Sequence, residues 1–210
     1  MPIAPPLNPG SVDWTGENPG ILLRDGPDGP FTAMALFFRI VYSPLGWGHA
    51  LLLLEDPNSE RSLPDVHNVM MTDNEPLARY LMDSFIGKLA AFAEAPAFKA
   101  VQYVPIDNVR SEGDPRSRYE ETVSGGGINV RLLWEELGEP KALELPPSET
   151  GPKDRELFTL LIESRKASII VNGETLKGEL GTRVQAGLET TTAFLYFAET
   201  WIWPDRKSVV

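Results

Sequence analysis

Cysteine is absent from this sequence, and its absence excludes several kinds of protein chemistry. Without a thiol the chain cannot form a disulfide scaffold, a thiolate metal site or a cysteine nucleophile. The 210 residues are nevertheless 42% hydrophobic, which is enough for a core that needs no covalent cross-links. The composition therefore predicts a globular protein of one domain, or at most two small ones.

Basic residues are scarce in the sequence. The chain has 19 Lys and Arg against 30 Asp and Glu, which gives a formal net charge of −11. The basic residues are scattered along the chain rather than clustered, and a net negative charge repels phosphate backbones. We therefore predict that the protein has no nucleic-acid partner.

Long apolar segments are also missing. The longest apolar runs, residues 33–38 and 50–54, are far shorter than the ~20 residues that span a bilayer. Residues 1–6 contain no basic side chain and no apolar stretch, so they do not resemble a secretory signal. On these grounds we expect a cytoplasmic protein with no membrane partner.

Proline and glycine are concentrated at the N-terminus. Residues 1–30 contain seven prolines and five glycines, which interrupt the backbone too often for a regular element to persist. We predict an extended arm over residues 1–30 and a single antiparallel β-rich domain over residues 31–210. The apolar residues Ile3, Leu7 and Trp14 could anchor the arm on the domain or on a partner subunit, and a frayed terminus is the alternative.

Most of the remaining sequence has the pattern of β-strands. Continuous apolar residues over 31–42 indicate a central strand, and residues 49–55 can pair with it in a hairpin. The dipeptide Asn172-Gly173 is the strongest hairpin signal, because both residues tolerate positive φ. About eight to ten strands joined by short turns predict an α+β protein of predominantly antiparallel β structure. We expect either a barrel or a strongly curved sheet.

One amphipathic helix is predicted at about residues 75–94. Leu81 and Phe85 are among apolar residues that recur at helical spacing, and Asp73 or Asn74 can cap the first turn. We expect this helix to pack against the sheet.

Two charged residues interrupt the most apolar strands. Arg39 lies within a predicted apolar strand. A guanidinium in an apolar interior requires a polar or charged partner, or a cavity that contains water. It could bind an anion inside a barrel, or it could lie on a partly exposed face. Glu199 shares a predicted face with Phe197 and Trp201, where it could act as a general acid or base or form a salt bridge. Pairing of Arg39 with Glu199 is a further hypothesis.

The two histidines of the chain carry weaker signals. His49 and His67 could bind a metal or act in acid–base catalysis, but their spacing matches no short metal-ligand motif. The glycines of residues 124–127 precede a predicted strand, so they indicate a turn rather than a phosphate-binding loop. We predict no metal site and no cofactor.

The predicted function is the binding of a small, partly apolar molecule, such as one bearing a carboxylate, in the interior of a β-barrel. The residues expected to bind it are Arg39, Glu199, Tyr42, Tyr196 and Trp134, although large rings also build ordinary β cores. One alternative is an enzyme that uses the same cavity with Glu199 or a histidine as general acid–base. Another is a structural or interaction protein that forms a homo-oligomer through its arm and its apolar strand faces.

Overall fold

The computed structural model describes residues 11–26 and 28–202, and strands make up 57% of them. The strands are β1 (Ser11–Glu17), β2 (Gly20–Arg24), β3 (Phe31–Tyr42), β4 (Gly48–Leu54), β5 (Asn68–Thr72), β6 (Gln102–Pro105), β7 (Asn108–Asp114), β8 (Arg118–Gly125), β9 (Ile128–Leu137), β10 (Lys141–Leu145), β11 (Arg155–Val171), β12 (Glu174–Thr175), β13 (Glu179–Leu180), β14 (Thr182–Gln185), β15 (Leu188–Thr191) and β16 (Ala193–Ile202). The helices are α1 (Glu75–Ser84) and α2 (Ala90–Ala93), with 3₁₀ turns at Ile86–Lys88 and Pro96–Ala100.

The main sheet is large, mixed and mostly antiparallel. Its principal order is β6-β5-β4-β3-β1-β16-β11-β9-β8-β7, and β14 and β15 form a separate hairpin. Strands β5 and β6 pair in parallel, because the helical segment between them provides a crossover connection. The sheet curves into a partial ring, and its edge strands β6 and β7 do not pair with each other. The predicted α+β class with a curved, mostly antiparallel sheet is confirmed at this level.

The N-terminal strands are integrated into the sheet. β1 and β2 follow one another between β3 and β16, with backbone pairing on both sides. The expectation that no regular element persists within residues 1–30 is therefore wrong for residues 11–17 and 20–24. Pro19 falls in the gap between the two strands, where it interrupts no ladder. Residues 1–10 lie outside the described residues, and the division into an arm and a domain stays a prediction.

The predicted helix is present but interrupted. Asn74 caps α1 by accepting a hydrogen bond from the backbone N–H of Leu77 at 3.2 Å. The helix ends at Ser84, before a 3₁₀ turn that contains Gly87, a weak helix former. In the part of the chain that the structure describes, the longest helix falls well short of the length and apolar character needed to cross a membrane.

Two apolar cores lie on opposite faces of the sheet. The inner core includes Phe37 of β3, Leu51 of β4 and Trp134 of β9. Since β9 is not a neighbour of β3 or β4 in the sheet, these side chains meet across the ring. The outer core covers the other face, where Leu77 and Leu81 of α1 pack on the sheet as predicted.

Tight turns set the register of two hairpins. Asn172 and Gly173 have φ values of +51° and +88°, and they connect β11 to β12 as predicted. Gly126 and Gly127, with φ values of +58° and +79°, connect β8 to β9 in the same way. Positive φ at both positions matches the right-handed twist of the flanking strands.

Gly16 provides a test of how closely β1 and β3 pack. A Cβ at this position would lie 2.0 Å from the carbonyl oxygen of Arg39, which is backbone and cannot move aside. We expect Gly16→Ala to lower the free energy of unfolding by about 1–3 kcal/mol, as overpacking does elsewhere. Urea unfolding measures this change. Gly26→Ala is the control, since Gly26 also has positive φ but no atom within 4 Å of a built Cβ; equal losses in the two variants would contradict the steric explanation.

Candidate functional site

Arg39 forms an ion cluster beside the inner core. Its Nη1 lies 3.1 Å from Oε2 of Glu17 on β1, and its Nη2 lies 3.0 Å from Oε2 of Glu121 on β8. Arg39 also donates to the hydroxyl of Ser111 on β7. The hydroxyl of Tyr119 donates to Oε1 of Glu121 at 3.0 Å. We call these five residues the Arg39 cluster.

Burial dominates the electrostatics of this cluster. The side chain of Glu121 is 0% exposed, and its burial raises the pKa of the carboxyl group even though Arg39 opposes the shift. Burial alone would lower the pKa of the Arg39 guanidinium, but the carboxylates of Glu121 and Glu17 outweigh it and raise that pKa. Arg39 is thus committed to acceptors of its own chain. The cluster therefore connects strands that are far apart in the sequence, and its arginine is not free to bind an external anion.

The hypothesis that Arg39 pairs with Glu199 is wrong. β1 lies between β3 and β16, so Arg39 meets Glu17 of β1 instead. Glu199 accepts a hydrogen bond from the indole N–H of Trp201 at 2.5 Å. It lines an open groove of about 670 Å³, whose walls include Phe158.

The predicted aromatic residues are separated from one another. Tyr42 is 54% exposed near the end of β3. Trp134 is fully buried in the inner core, where its indole N–H donates to the carbonyl oxygen of Gly20 at 3.1 Å. Tyr196 lies on the opposite face of the sheet, in the outer core. The five residues expected to bind a ligand therefore do not line one common cavity.

Each histidine pairs with one carboxylate. Nδ1 of His49 lies 2.6 Å from Oδ2 of Asp73, and Nδ1 of His67 lies 2.6 Å from Oε2 of Glu55. Among the described residues, no group of three or more histidine and acidic side chains is arranged to hold a metal ion.

A cavity of about 650 Å³ lies on the outer face of the sheet. Its floor includes Phe194 and Tyr196 of β16, and it is continuous with the outer core. Three segments cover it: the helical residues 85–92, the loop residues 149–152 and the residues 183–187 of the β14–β15 hairpin. We call it the Arg183 cavity, because Arg183 is the basic side chain in its lining.

Arg183 is held over aromatic rings without an acidic partner. Its Nη2 donates to the hydroxyl of Tyr196 at 2.8 Å, and its guanidinium carbon lies 4.0 Å from the centre of the Phe194 ring. Its Nε is buried and makes no hydrogen bond, and no ion pair of Arg183 occurs among the described residues. Burial lowers the pKa of the guanidinium. One of its five N–H donors is engaged, so the others can bind an anion.

Local strand geometry places the groups around Arg183. Arg183 and Gln185 project to the same side of β14, and the hydroxyl of Tyr196 bridges them by donating to Gln185. The rings of Phe194 and Tyr196 lie 4.5 Å apart on β16. Gly20 permits this arrangement, since a Cβ there would lie 2.6 Å from the Phe194 ring.

Two further polar residues line the cavity. Asn18 is 4% exposed, and its Oδ1 has no hydrogen-bond partner. Glu149 belongs to the covering loop and is exposed, and it forms no ion pair with Arg183. The sequence pointed to Tyr196 but to neither Arg183 nor Asn18. The short polar segment around Arg183 has the sequence pattern of an exposed strand, and its periodicity does not predict that the side chain is partly buried.

Arg155 is a buried arginine that is paired with carboxylates of the chain. Nε of Arg155 lies 2.6 Å from Oδ2 of Asp13, and its Nη1 lies 2.6 Å from Oδ1 of Asp154. Its Nη2 also donates to the hydroxyl of Tyr80 at 2.9 Å. Arg39 and Arg155 are thus both neutralised by carboxylates of the chain, whereas Arg183 is not.

The Arg39 cluster predicts a strong dependence of stability on its cation. Arg39→Met leaves Glu121 buried without a counter-ion, so the free energy of unfolding should fall by about 3–5 kcal/mol. The double variant Arg39→Met/Glu121→Leu should recover most of that loss, because apolar side chains can replace a buried pair. Urea unfolding of both variants measures the effect. Arg116→Met, at an exposed arginine, is the charge-matched control; a loss no larger than in this control would argue against the cluster.

The raised pKa of Glu121 also predicts a pH effect. Because the folded protein binds a proton at Glu121 more tightly than the unfolded chain does, this site favours folding as the pH falls. The contribution should be complete below the ordinary carboxyl pKa and lost as the pH rises through the raised value. As the pH falls, the free energy of unfolding of the unaltered protein should therefore rise relative to that of Glu121→Gln. Urea unfolding at a series of pH values measures this difference, and one that is flat with pH would show that the site does not titrate as described.

Comparison with protein-family models, with curated proteins and with solved structures finds no match to this chain. The chemistry of the Arg183 cavity is therefore the basis on which a function can be assigned.

Proposed function

We propose that this protein binds a small, partly apolar molecule that carries a carboxylate, and that the ligand occupies the Arg183 cavity. The observation that carries the proposal is the unpaired state of Arg183 over Phe194 and Tyr196. A guanidinium in such surroundings lacks the counter-charge that stabilises a buried cation. A ligand carboxylate supplies that charge and matches the planar guanidinium in shape.

The walls of the cavity define the rest of the ligand. Leu22, Leu36 and Phe92 are among the apolar side chains that line it, so they favour a hydrocarbon or aromatic body. The volume of about 650 Å³ lies within the roughly 300–1,000 Å³ that is usual for small-molecule sites. A single arginine matches a single negative charge, and Glu149 in the covering loop disfavours a doubly charged ligand such as a phosphate monoester.

The proposed position differs from the barrel interior that the sequence suggested. The side chains of the inner core, including Phe37, Leu53 and Trp134, are fully buried and occupy the space inside the ring. The ring thus serves as a barrel-like scaffold, and its outer face carries the ligand. Tyr196 is the residue of the predicted set that contributes to this site.

Binding is favoured over catalysis by the composition of the cavity. Glu199, His49 and His67 are the residues that sequence suggested as general acid–base groups, and none of them lines it. The titratable side chains in its lining are Arg183, Tyr196 and Glu149. Burial lowers the pKa of Arg183 and raises that of Tyr196, which remains the neutral donor to Gln185 at physiological pH.

Removal of the Arg183 charge tests the proposal. Octanoate is the probe, and 1-octanol is its uncharged counterpart. The unaltered protein should bind octanoate in preference to octanol, and Arg183→Met should weaken octanoate binding at least tenfold, as expected for the loss of charged hydrogen bonds. Isothermal titration calorimetry measures both affinities. Arg116→Met, which changes the net charge equally at an exposed position, should bind octanoate normally.

The same variant separates a binding role from a structural one. Without ligand, Arg183→Met should unfold at an unchanged or higher urea concentration, because it removes a partly buried charge that has no ionic partner. A structural arginine would give the opposite result. Octanoate affinity that is unchanged in Arg183→Met, or equal for octanoate and octanol, would overturn the proposed function.

A further inference from the structure

Asn18 presents a buried amide to the Arg183 cavity. The residue lies in the gap between β1 and β2, where its backbone N–H donates to the carbonyl oxygen of Tyr196 at 2.9 Å. The carbonyl oxygen of the next residue, Pro19, accepts from the backbone N–H of Phe37 at 2.9 Å. The backbone is therefore fixed to both neighbouring strands. Asn18 is among the residues that line the cavity.

Asn18 carries a buried side-chain oxygen that has no hydrogen-bond partner. Its Oδ1 is buried without a hydrogen bond, and the whole residue is 4% exposed. A buried polar group left unpaired destabilises the folded protein, so most such groups are satisfied in native structures. The remaining buried side-chain atoms without a hydrogen bond belong to residues outside this cavity, namely Trp14, Arg24, Thr159, Thr190 and Thr200. Two residues that line this cavity therefore have buried polar atoms without a hydrogen bond, Oδ1 of Asn18 and Nε of Arg183.

We propose that the ligand carries a hydroxyl group in addition to its carboxylate, and that this hydroxyl pairs with the amide of Asn18. The inference rests on the proposed function and narrows its ligand class to hydroxylated apolar monocarboxylic acids. A hydroxyl can donate to Oδ1 and can also accept from Nδ2, so it satisfies the amide in either orientation. An unsubstituted fatty acid pairs with Arg183 but leaves Asn18 unsatisfied. The site should therefore bind hydroxylated acids more tightly than unsubstituted ones, because a site that hydrogen-bonds a hydroxyl discriminates against analogues that lack it.

A series of positional isomers tests the inference on the unaltered protein. Octanoate is compared with 2-, 3-, 4-, 5-, 6-, 7- and 8-hydroxyoctanoate by isothermal titration calorimetry, so that the hydroxyl is placed at each distance from the carboxylate. We expect at least one isomer to bind roughly fivefold to tenfold more tightly than octanoate, which is the usual gain from one hydrogen bond. The remaining isomers should bind more weakly than octanoate, because they bury a hydroxyl without a partner.

Asn18→Leu identifies the residue that is responsible. This variant should bind the preferred isomer no better than octanoate, since the amide is gone while Arg183 remains. Thr200→Val is the matched control: it removes a buried, unpaired hydroxyl outside the cavity and should retain the preference. If Asn18→Leu does not fold, Asn18→Ala makes the same comparison, because it also removes the amide and leaves Arg183 in place.

The outcomes separate this inference from the proposed function. Octanoate that binds through Arg183, with no isomer gaining affinity, would overturn the hydroxyl requirement and leave the carboxylate site intact. A gain that persists in Asn18→Leu would also overturn it, since another group would then recognise the hydroxyl. Octanoate and all isomers binding independently of Arg183 would instead overturn the proposed function.

Discussion

The ion pair between Arg39 and Glu121 is the constraint that connects β3 to β8 through side chains. The path of paired strands from β3 to β8 runs around most of the sheet, and the two residues are separated by 82 positions in the chain. The backbone already joins the two ends of the sheet, because residues 106 and 107 link β6 to β7 and donate their N–H groups to Thr72 of β5 and Ser124 of β8. Between β3 and β8, which share no backbone ladder, the connection is made by side chains. Arg39 provides that connection by binding Glu17 of β1 and Glu121 of β8 at once. A buried ion pair adds little net stability compared with apolar side chains, but its geometry tolerates few alternative registers.

Closure of the ring also explains why the proposed ligand site lies on the outer face of the sheet. Once the ends are joined, Phe37, Leu51 and Trp134 meet across the interior and occupy it. The outer face differs, because its cover consists of short helical, loop and hairpin segments rather than a second sheet. Such a cover leaves gaps that continuous strands do not, so the cavity forms there. Arg183 of this cavity has no ionic partner among the described residues, whereas the arginines at the ring junction and beside Asp13 receive carboxylates.

Local patterns in the sequence predicted the strands, turns and helix. Contacts between residues far apart in the chain determined how the strands pair and which side chains are buried. The strand Phe31–Tyr42, the Asn172-Gly173 turn and the start of α1 after Asn74 were all predictable, because each depends on neighbouring residues. The place of β1 between β3 and β16 was not, since proline and glycine content describes propensity and not pairing. Arg39 was recognisable as an anomaly, but the acceptor that explains it lies 82 positions away. Arg183 gave no signal, because its burial comes from the tertiary placement of a short polar hairpin.

The two unmet groups of the cavity link ligand binding to the stability of its cover. Arg183 belongs to the β14–β15 hairpin, and Asn18 belongs to the gap between two strands of the sheet. A molecule that engages both groups therefore connects the cover to the scaffold through polar contacts that the chain itself does not make. Binding to the folded state alone stabilises it in proportion to ligand concentration and affinity. Departures from complete polar satisfaction are expected at functional sites, where a bound partner offsets their cost. In the proposed site, Arg183 and Asn18 are the residues whose unpaired polar atoms a ligand would engage.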